Sequence, residues 1–276
     1  MDTPAPKIAL IAGGRKIAYD EARPADPASE KGTILLLTGL GSKRLGWYNQ
    51  LPVFGQTYRT IAVDHRDTGD SDEVSEEYTP ADLADDAAAL LTTLGVVRAH
   101  VIGISLGGFT ALQFALRHPD QLDHLVLVST SAGGPTHVQP APEIAMLLMP
   151  EPGVEIGERA IRNYSRIMAA EFVAAHPEAL ERIAETARYR PTSPAGYGRQ
   201  LRAALAHDVA GTFRQISAPT LVIHGDVDPL VPPPNGAYLA ANIPGARHIV
   251  YPGVGHIPII ERASDFNRDV LAFLDS

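Results

Sequence analysis

The sequence predicts an α/β fold with a mostly parallel, eight-stranded sheet flanked by helices. The first observation is a set of short Leu-rich or β-branched runs without polar alternation, as in strands buried on both faces: residues 33–38, 60–64, 100–104 and 124–129. The second is that helical patterns separate these runs, at residues 80–94 and 106–117. The third is that a chain of 276 residues with 45% apolar side chains can bury a large core. Strands that alternate with helices indicate a doubly wound sheet.

The two ends of the chain supply the remaining strands. Residues 7–11 and 16–21 form a predicted hairpin, joined by Ala12, Gly13, Gly14 and Arg15. The alternation resumes late in the chain, with strands at 220–224 and 248–251 and helices near 235–242 and 264–274. These segments bring the predicted sheet to eight strands.

The alternation of strands and helices is interrupted in the middle of the chain. From about residue 135 to 216 there is no convincing strand, and the patterns are helical, rich in Ala, Glu and Arg, and interrupted by prolines. We therefore predict a core domain of residues 1–134 and 218–276, with a helical cap, or lid, of residues 135–217 inserted after the sixth strand. A long insertion within one domain usually has a binding role, although a purely structural excursion is the alternative.

Charge and composition argue against several classes of partner. The net charge is −9 and no run of Lys or Arg occurs, so nucleic acid and anionic membrane surfaces are poor partners. The absence of cysteine excludes disulfides, thiolate nucleophiles and Cys-based zinc sites. Residues 1–16 lack the pattern of a secretory signal, and no apolar run approaches the roughly 18 residues of a membrane span. We expect a cytoplasmic protein, either a monomer or a homodimer.

A G-x-S-x-G motif marks Ser105 as a candidate nucleophile. The motif runs from Gly103 to Gly107, and a predicted strand ends at Ile104 where a helix begins at Leu106. A turn from strand to helix within one residue strains the serine backbone, and side chains at 103 and 107 would collide across the turn. The alternative is a tight turn with a capping serine.

A serine hydroxyl needs a base, and the chain order of this motif places a histidine near the end. His256 follows the last predicted strand, which puts it at the same edge of the sheet as Ser105. The acid that orients this histidine should precede it, and Asp228 is the candidate, with Asp226 as a rival that could instead cap a turn. Losing such a carboxylate costs about 10⁴ in turnover in comparable triads.

Two backbone N–H groups are needed to stabilise a developing oxyanion. We expect one from Leu106 and the other from the loop after the third strand, which contains Gly39, Leu40 and Gly41, with Leu40 as donor. The same loop has the glycine spacing of a phosphate-binding loop, but Trp47 occupies the position of the required lysine. Nucleotide binding is therefore not expected.

The segment 64–72 is rich in aspartate and raises the question of a metal site. It lacks the residue order of a calcium-binding loop, and a solvated turn after a strand accounts for it. We expect no metal and no organic cofactor.

Taken together, these residues resemble the α/β-hydrolase family over nearly the whole chain outside 136–216. The resemblance covers the oxyanion loop, the turn at 64–71, the serine motif, and the loops of Asp228 and His256. Most family members have His-Gly where this chain has Thr38 and Gly39, and glycine where it has Asp67. The version with Asp67 resembles the aclacinomycin methylesterase branch. The resemblance implies a serine hydrolase of esterase type that uses no cofactor.

The predicted cap contains every methionine except the first: Met146, Met149 and Met168. Flexible apolar side chains suit a pocket for varied acyl or aromatic groups, so these residues are candidate substrate contacts together with Gly39 and Gly41. Packing of the cap on the core explains them equally well.

The expected activity is hydrolysis of a small carboxylic ester with an apolar acyl or aromatic part, through an acyl-enzyme. Lactone, thioester, carbon–carbon bond and perhydrolytic reactions use the same residues and stay open as alternatives. A ligand receptor on a hydrolase scaffold is the alternative from another functional class.

Overall fold

The computed structural model describes residues 5–276 and contains the predicted eight-stranded sheet. Residues 1–4, which belong to the predicted core domain and to the stretch without a secretory pattern, lie outside this range. The strands are β1 (Lys7–Leu10), β2 (Lys16–Ala22), β3 (Thr33–Leu37), β4 (Arg59–Val63), β5 (Ala99–Ile104), β6 (Leu122–Val128), β7 (Thr220–Gly225) and β8 (Arg247–Tyr251). Their order across the sheet is β1-β2-β4-β3-β5-β6-β7-β8. The β1–β2 hairpin and the β2–β4 pair are antiparallel, and all other pairs are parallel.

Helices flank the sheet, and local signals explain several of their ends. Thr79 and Asp82 form a capping box at the start of the helix after β4, and Gly95, with a positive φ, follows its end. The helices are α1 (Leu51–Phe54), α2 (Pro80–Thr93), α3 (Leu106–Arg117), α4 (Pro142–Ala145), α5 (Ile156–Ile167), α6 (Ala170–Ala175), α7 (Pro177–Arg188), α8 (Pro194–Leu205), α9 (Pro234–Asn242), α10 (Pro258–Glu261) and α11 (Ala263–Leu274). None of the helices in residues 5–276 has the length and apolarity that crossing a membrane requires.

The parallel strands are buried on both faces, which explains why their sequences show no polar alternation. On one face, Leu35 and Leu37 of β3 join the cluster that contains apolar residues of α2, α3 and α9. On the other face, Ile34 and Leu36 pack in the cluster that contains Trp47 and apolar residues of α11. Two cores on opposite sides of one sheet confirm the predicted doubly wound arrangement.

The insertion between β6 and β7 is helical, as the proline-interrupted patterns indicate. Helices α4 to α8 occupy this stretch, and its described residues contain one isolated bridge, between Gly133 and Asp208, but no strand. Polar contacts attach the helices to the core, among them the buried ion pair between Arg199 of α8 and Asp67, with a 3.0 Å N–O distance.

The aspartate-rich segment 64–72 differs from the solvated turn that we expected. Its first five residues are buried, because their charges are paired with distant parts of the chain. Asp64 pairs with Arg44, Arg66 with Asp86, and Asp67 with Arg199. The partners Arg44, Asp86 and Arg199 lie outside the segment, so the segment by itself resembles an exposed acidic turn.

Candidate active site

Ser105 occupies a strained turn between β5 and α3. Its φ of 55° and ψ of −119° lie in a region that residues other than glycine rarely adopt. The turn is held by hydrogen bonds from the Ser105 N–H to the carbonyl of Val128, at 3.0 Å, and from the Thr130 hydroxyl to the carbonyl of Ser105, at 2.9 Å. The backbone is therefore fixed on both sides of the serine side chain.

The glycines around Ser105 are required by space. A Cβ atom added to Gly103 would lie 2.1 Å from the carbonyl oxygen of Gly107, which is the expected collision across the turn. A Cβ on Gly107 would instead meet the carbonyl oxygen of Leu37 at 2.2 Å, and one on Gly108 would meet Thr130 at 2.5 Å. The turn is thus pressed against the end of β3 and against the loop after β6.

His256 and Asp228 are joined by a hydrogen bond. The distance between His256 Nδ1 and Asp228 Oδ2 is 2.8 Å, and both residues are buried. The other carboxylate oxygen of Asp228 accepts the backbone N–H groups of Leu230 and Val231, each at 2.9 Å. The loop therefore fixes the carboxylate in a single orientation toward the imidazole.

The environment of Asp228 keeps its carboxylate ionised. Burial raises the pKa of this group, but the neighbouring His256 and His224 imidazoles outweigh burial and bring the pKa to about 2. The rival acid, Asp226, is exposed and accepts the backbone N–H of Gly253 at 2.7 Å, which is the turn-stabilising alternative considered above. The structure thus brings Asp228 to the histidine, and Asp226 to the neighbouring turn.

The two expected oxyanion donors belong to segments that adjoin Ser105. A Cβ added to Gly39 would be 3.4 Å from Ser105 Cβ, so the loop with Leu40 runs beside the serine. Within residues 5–276, the N–H groups of Leu40 and Leu106 have no acceptor. The next amide, that of Gly41, donates to Oε1 of Gln200 in α8 at 2.9 Å, which anchors this loop to the helical insertion.

Ser105 and His256 line a cavity of about 210 Å³. Gly39, Leu40 and Gly41 line it as well. The described residues show no hydrogen bond between the Ser105 hydroxyl and His256, and catalytic contacts of this kind are often long until a substrate is bound. The helical insertion contributes much of the opposite wall, including Leu147, Leu148, Ile156, Tyr164, Ile167, Ile183 and Tyr197.

The methionines of the insertion lie elsewhere. Met146 and Met149 are 64% and 37% exposed, while Met168 is buried in the core cluster that contains Trp47. None of the three lines the cavity, whereas their neighbours Leu147, Leu148 and Ile167 do. We proposed the methionines as substrate contacts because of their flexible apolar side chains. Which residues line the cavity depends instead on the direction in which each side chain points.

Three further residues of the site were not identified from the sequence. Gln200 accepts the N–H of Gly41 in the loop of Leu40, and Lys43 lines the cavity. The buried carboxylate of Glu261 accepts N–H groups from both sides of His256, those of Gly255 and Ile257, and one from Ala169. A buried Glu just after a histidine loop could have been noticed, but Gln200 and Lys43 carry no local signal. In residues 5–276, no group of three or more His, Cys, Asp or Glu side chains is arranged to hold a metal ion.

Comparisons with known proteins agree with this geometry. The chain is 31% identical over 251 residues to a protein of Caulobacter sp. strain K31 named "Putative carbamate hydrolase RutD", covering 90% of this chain and 92% of the relative. It is 31% identical over 268 residues to a 2-hydroxy-6-oxononadienedioate/2-hydroxy-6-oxononatrienedioate hydrolase of Burkholderia vietnamiensis, covering 90% of this chain and 89% of that one. An enol-lactonase structure from Burkholderia xenovorans superimposes with a TM-score of 0.84 at 26% identity, over 98% of this chain and 100% of that one.

A protein-family model also matches most of this chain. The model described as alpha/beta hydrolase fold matches residues 32–263, which include Ser105, Asp228, His256 and the whole helical insertion. Both the fold and the named relatives agree with this match. The chain therefore belongs to the alpha/beta hydrolase fold family, and its activity is that of a hydrolase.

Proposed function

We propose that this hydrolase cleaves carboxylic esters through an acyl-enzyme intermediate, with Ser105, His256 and Asp228 as its catalytic triad. The observation that carries the proposal is the 2.8 Å hydrogen bond between Asp228 and His256 Nδ1, at the wall of the cavity that Ser105 also lines. An ionised carboxylate only accepts hydrogen bonds, so Nδ1 of His256 carries a proton. Nε2 is therefore free to accept a hydrogen bond from the Ser105 hydroxyl.

The proposed reaction proceeds in two half-reactions. His256 Nε2 accepts the Ser105 proton as Oγ attacks the ester carbonyl, and then passes that proton to the leaving alcohol. A water molecule, activated by the same imidazole, releases the acid from the acyl-enzyme. Asp228 stays ionised throughout, in agreement with its low pKa, and stabilises the imidazolium that forms in each half-reaction.

The oxyanion is assigned to the N–H groups of Leu40 and Leu106. Both groups belong to segments that adjoin Ser105 and lack acceptors in the described part of the chain, so their hydrogen-bonding capacity is available to the reacting oxygen. Each such donor contributes on the order of 3 kcal/mol to the transition state. Thr38 stands where most family members have His. This difference does not affect the proposed donors, because both are backbone N–H groups.

We further assign residues 135–217 as a cap that encloses the substrate. The support is that α5, α7 and α8 supply cavity-lining residues, and that Gln200 and Ile167 bond directly to the loops of Leu40 and His256. Much of the lining is apolar, as suits a substrate with an apolar acyl or aromatic part.

Lactone hydrolysis is a second candidate, supported by the names of similar structures. One is the enol-lactonase, and another is Est816, titled as an N-acyl homoserine lactone degrading enzyme, with a TM-score of 0.80 and 29% identity over 96% of this chain. A lactone is a carboxylic ester closed into a ring, so the residues proposed above would act on it without change.

The proposal is tested by steady-state turnover of a series of 4-nitrophenyl esters that differ in acyl length. We expect multiple turnover by the wild type, with losses of about 10⁴-fold or more in Ser105→Ala and about 10⁴-fold in Asp228→Asn. Asp226→Asn is the matched control and should retain most of the activity, because the Asp226 carboxylate accepts the N–H of Gly253 in the neighbouring turn, while Asp228 is the residue bonded to His256.

Two outcomes would contradict the proposal. Activity lost in Asp226→Asn but kept in Asp228→Asn would reassign the acid. A single slow turnover that leaves a persistent adduct on the wild type would instead support a ligand receptor on a hydrolase scaffold.

A further inference from the structure

Lys43 is a buried lysine in the wall of the active-site cavity. Its exposed fraction is 3%, whereas Lys7, Lys16 and Lys31 are all exposed. Its ammonium group makes one long hydrogen bond, to the carbonyl of Ala187 at 3.5 Å, near the end of α7. Both residues line the cavity, so the ammonium lies where the core loop and the cap helix meet around the substrate space.

Among residues 5–276, no carboxylate forms an ion pair with this ammonium. Asp64 attracts it, but the two oxygens of Asp64 are engaged by the backbone N–H and the guanidinium of Arg44. Burial lowers the pKa of Lys43 to about 8, and the attraction of Asp64 opposes this effect only in part. A buried ammonium without a close counter-charge is costly to maintain, which indicates that a partner from outside the chain supplies the charge.

Lys43 is not the only basic side chain in the lining of the cavity, although the protein is acidic. Arg159 of α5 also lines it, with its guanidinium carbon 5.5 Å from the ring centre of Tyr197, and it has no ion pair among residues 5–276. No Asp or Glu is among the described residues that line the cavity, while the net charge of the chain is −9. The hydroxyl of Thr192 in the same wall is buried without a hydrogen-bond partner.

From these observations we infer that Lys43 and Arg159 form an anion subsite, and that the natural substrate is an ester or lactone that carries a carboxylate group. The inference rests on the proposed function, since it specifies which esters that site accepts. Lys43 and Leu40 belong to the same short loop, so a carboxylate bound by the ammonium would be held at a fixed distance from the oxyanion donor. Such positioning would align the ester carbonyl with Ser105.

The test compares substrates that differ in charge but hardly in shape. One pair is the 4-nitrophenyl monoester of adipic acid and 4-nitrophenyl hexanoate, which places the carboxylate on the acyl side. The second pair is 4-acetoxybenzoate and its neutral isostere 4-carbamoylphenyl acetate, which places the carboxylate on the alcohol side. The quantity measured is the specificity ratio, defined as kcat/KM for the anionic ester divided by kcat/KM for its neutral counterpart.

We expect the wild type to show a specificity ratio above ten for one pair, and Lys43→Met to lower it by roughly 10- to 100-fold, mainly through KM, as for one lost charge-assisted hydrogen bond. Lys43→Arg should restore part of the ratio. Lys16→Met is the matched control, because it removes the same charge at an exposed position of β2 and should leave the ratio unchanged.

A purely structural role of Lys43 gives a different result. Lys43→Met would then lower kcat/KM for both members of each pair equally, and an unchanged ratio would overturn the subsite. A wild-type ratio near one for both pairs would also overturn it while leaving the proposed ester hydrolase intact.

A binding measurement separates the subsite from the reaction. We expect millimolar adipate to raise the melting temperature of Ser105→Ala, and hexane-1,6-diol to have no effect. The double variant Ser105→Ala/Lys43→Met should lose the response to adipate. If no ester is hydrolysed but adipate still stabilises the protein through Lys43, the subsite is supported and the ester assignment fails. An adipate response that persists without Lys43 contradicts the subsite.

Discussion

Ser105 illustrates how single residues set the chemistry of this site. Its positive φ turns the chain from β5 into α3 within one residue, and three glycines make room for that turn. The strain is maintained by packing against the backbone of β3 and the side chain of Thr130 in the loop after β6, and not by the serine itself. A side chain held in this way is presented at the end of the strand with little freedom to move, which suits a nucleophile.

Gly103→Ala tests this packing. The added Cβ would meet the Gly107 carbonyl at 2.1 Å, a backbone atom that cannot rotate away, so we expect a loss of about 3 kcal/mol in the free energy of unfolding. Gly211→Ala is the matched control, since its Cβ would have no neighbour within 4 Å, and its change should stay below about 1 kcal/mol. Urea denaturation measures both values. Equal stabilities of the two variants would show that the turn is not tightly packed.

Ser105, Asp228 and His256 could be proposed from the sequence because a short motif and its chain order indicate them. The structure places Ser105 and His256 in the wall of one cavity, and Asp228 against His256. The sequence did not predict Lys43, Gln200 or Glu261, because each contacts backbone groups of a segment distant in sequence. The methionines were chosen by residue type, while the cavity is lined by whichever side of each helical turn faces it. Orientation of this kind is a property of tertiary packing.

At the scale of elements, the junction of α5 and α6 is attached directly to the histidine loop. The His256 N–H donates to the carbonyl of Ile167 at 2.8 Å, and the Glu261 carboxylate accepts N–H groups from Ala169, Gly255 and Ile257 at 2.8–2.9 Å. A Cβ on Gly255 would lie 2.4 Å from the Ile167 carbonyl, so the two segments are in close contact. The helical insertion and the loop of the proposed catalytic base are therefore joined by one group of hydrogen bonds.

Glu261→Gln tests this group of hydrogen bonds, in which we assign Glu261 as a positioning residue. The amide NH₂ of glutamine would face a backbone donor, so we expect about 1–3 kcal/mol of lost stability and a fall in kcat larger than any change in KM. Glu181→Gln, at an exposed position of α7, is the control and should change neither. Thermal melts and ester kinetics measure the two effects. A variant that loses stability but keeps the wild-type kcat would limit Glu261 to a structural role.

Most elements were predicted within one or two residues, because buried parallel strands and capped helices leave strong local patterns. The segment 64–72 was not, because its burial depends on Arg44, Arg199 and Asp86 from other parts of the chain. The type of each helix or strand can therefore largely be predicted from its local sequence, whereas the burial of a charged turn depends on distant residues.

At the scale of the whole molecule, sheet topology assembles the site. Ser105, Asp228 and His256 follow β5, β7 and β8, which are parallel and lie on the same half of the sheet with β6 between the first two. The carboxyl ends of parallel strands meet at one edge, so residues distant in sequence converge there without special connections. The helical insertion leaves this edge after β6 and covers it.

The central claim is that this convergence makes Ser105 a nucleophile activated by His256. The most direct test is to treat the protein with diisopropyl fluorophosphate and to locate the adduct by peptide mass spectrometry. We expect one diisopropylphosphoryl group on Ser105 in the wild type, and a rate of modification at least about 10³-fold slower in His256→Ala. An adduct on another residue, or modification of Ser105 at the same rate without the histidine, would contradict this claim.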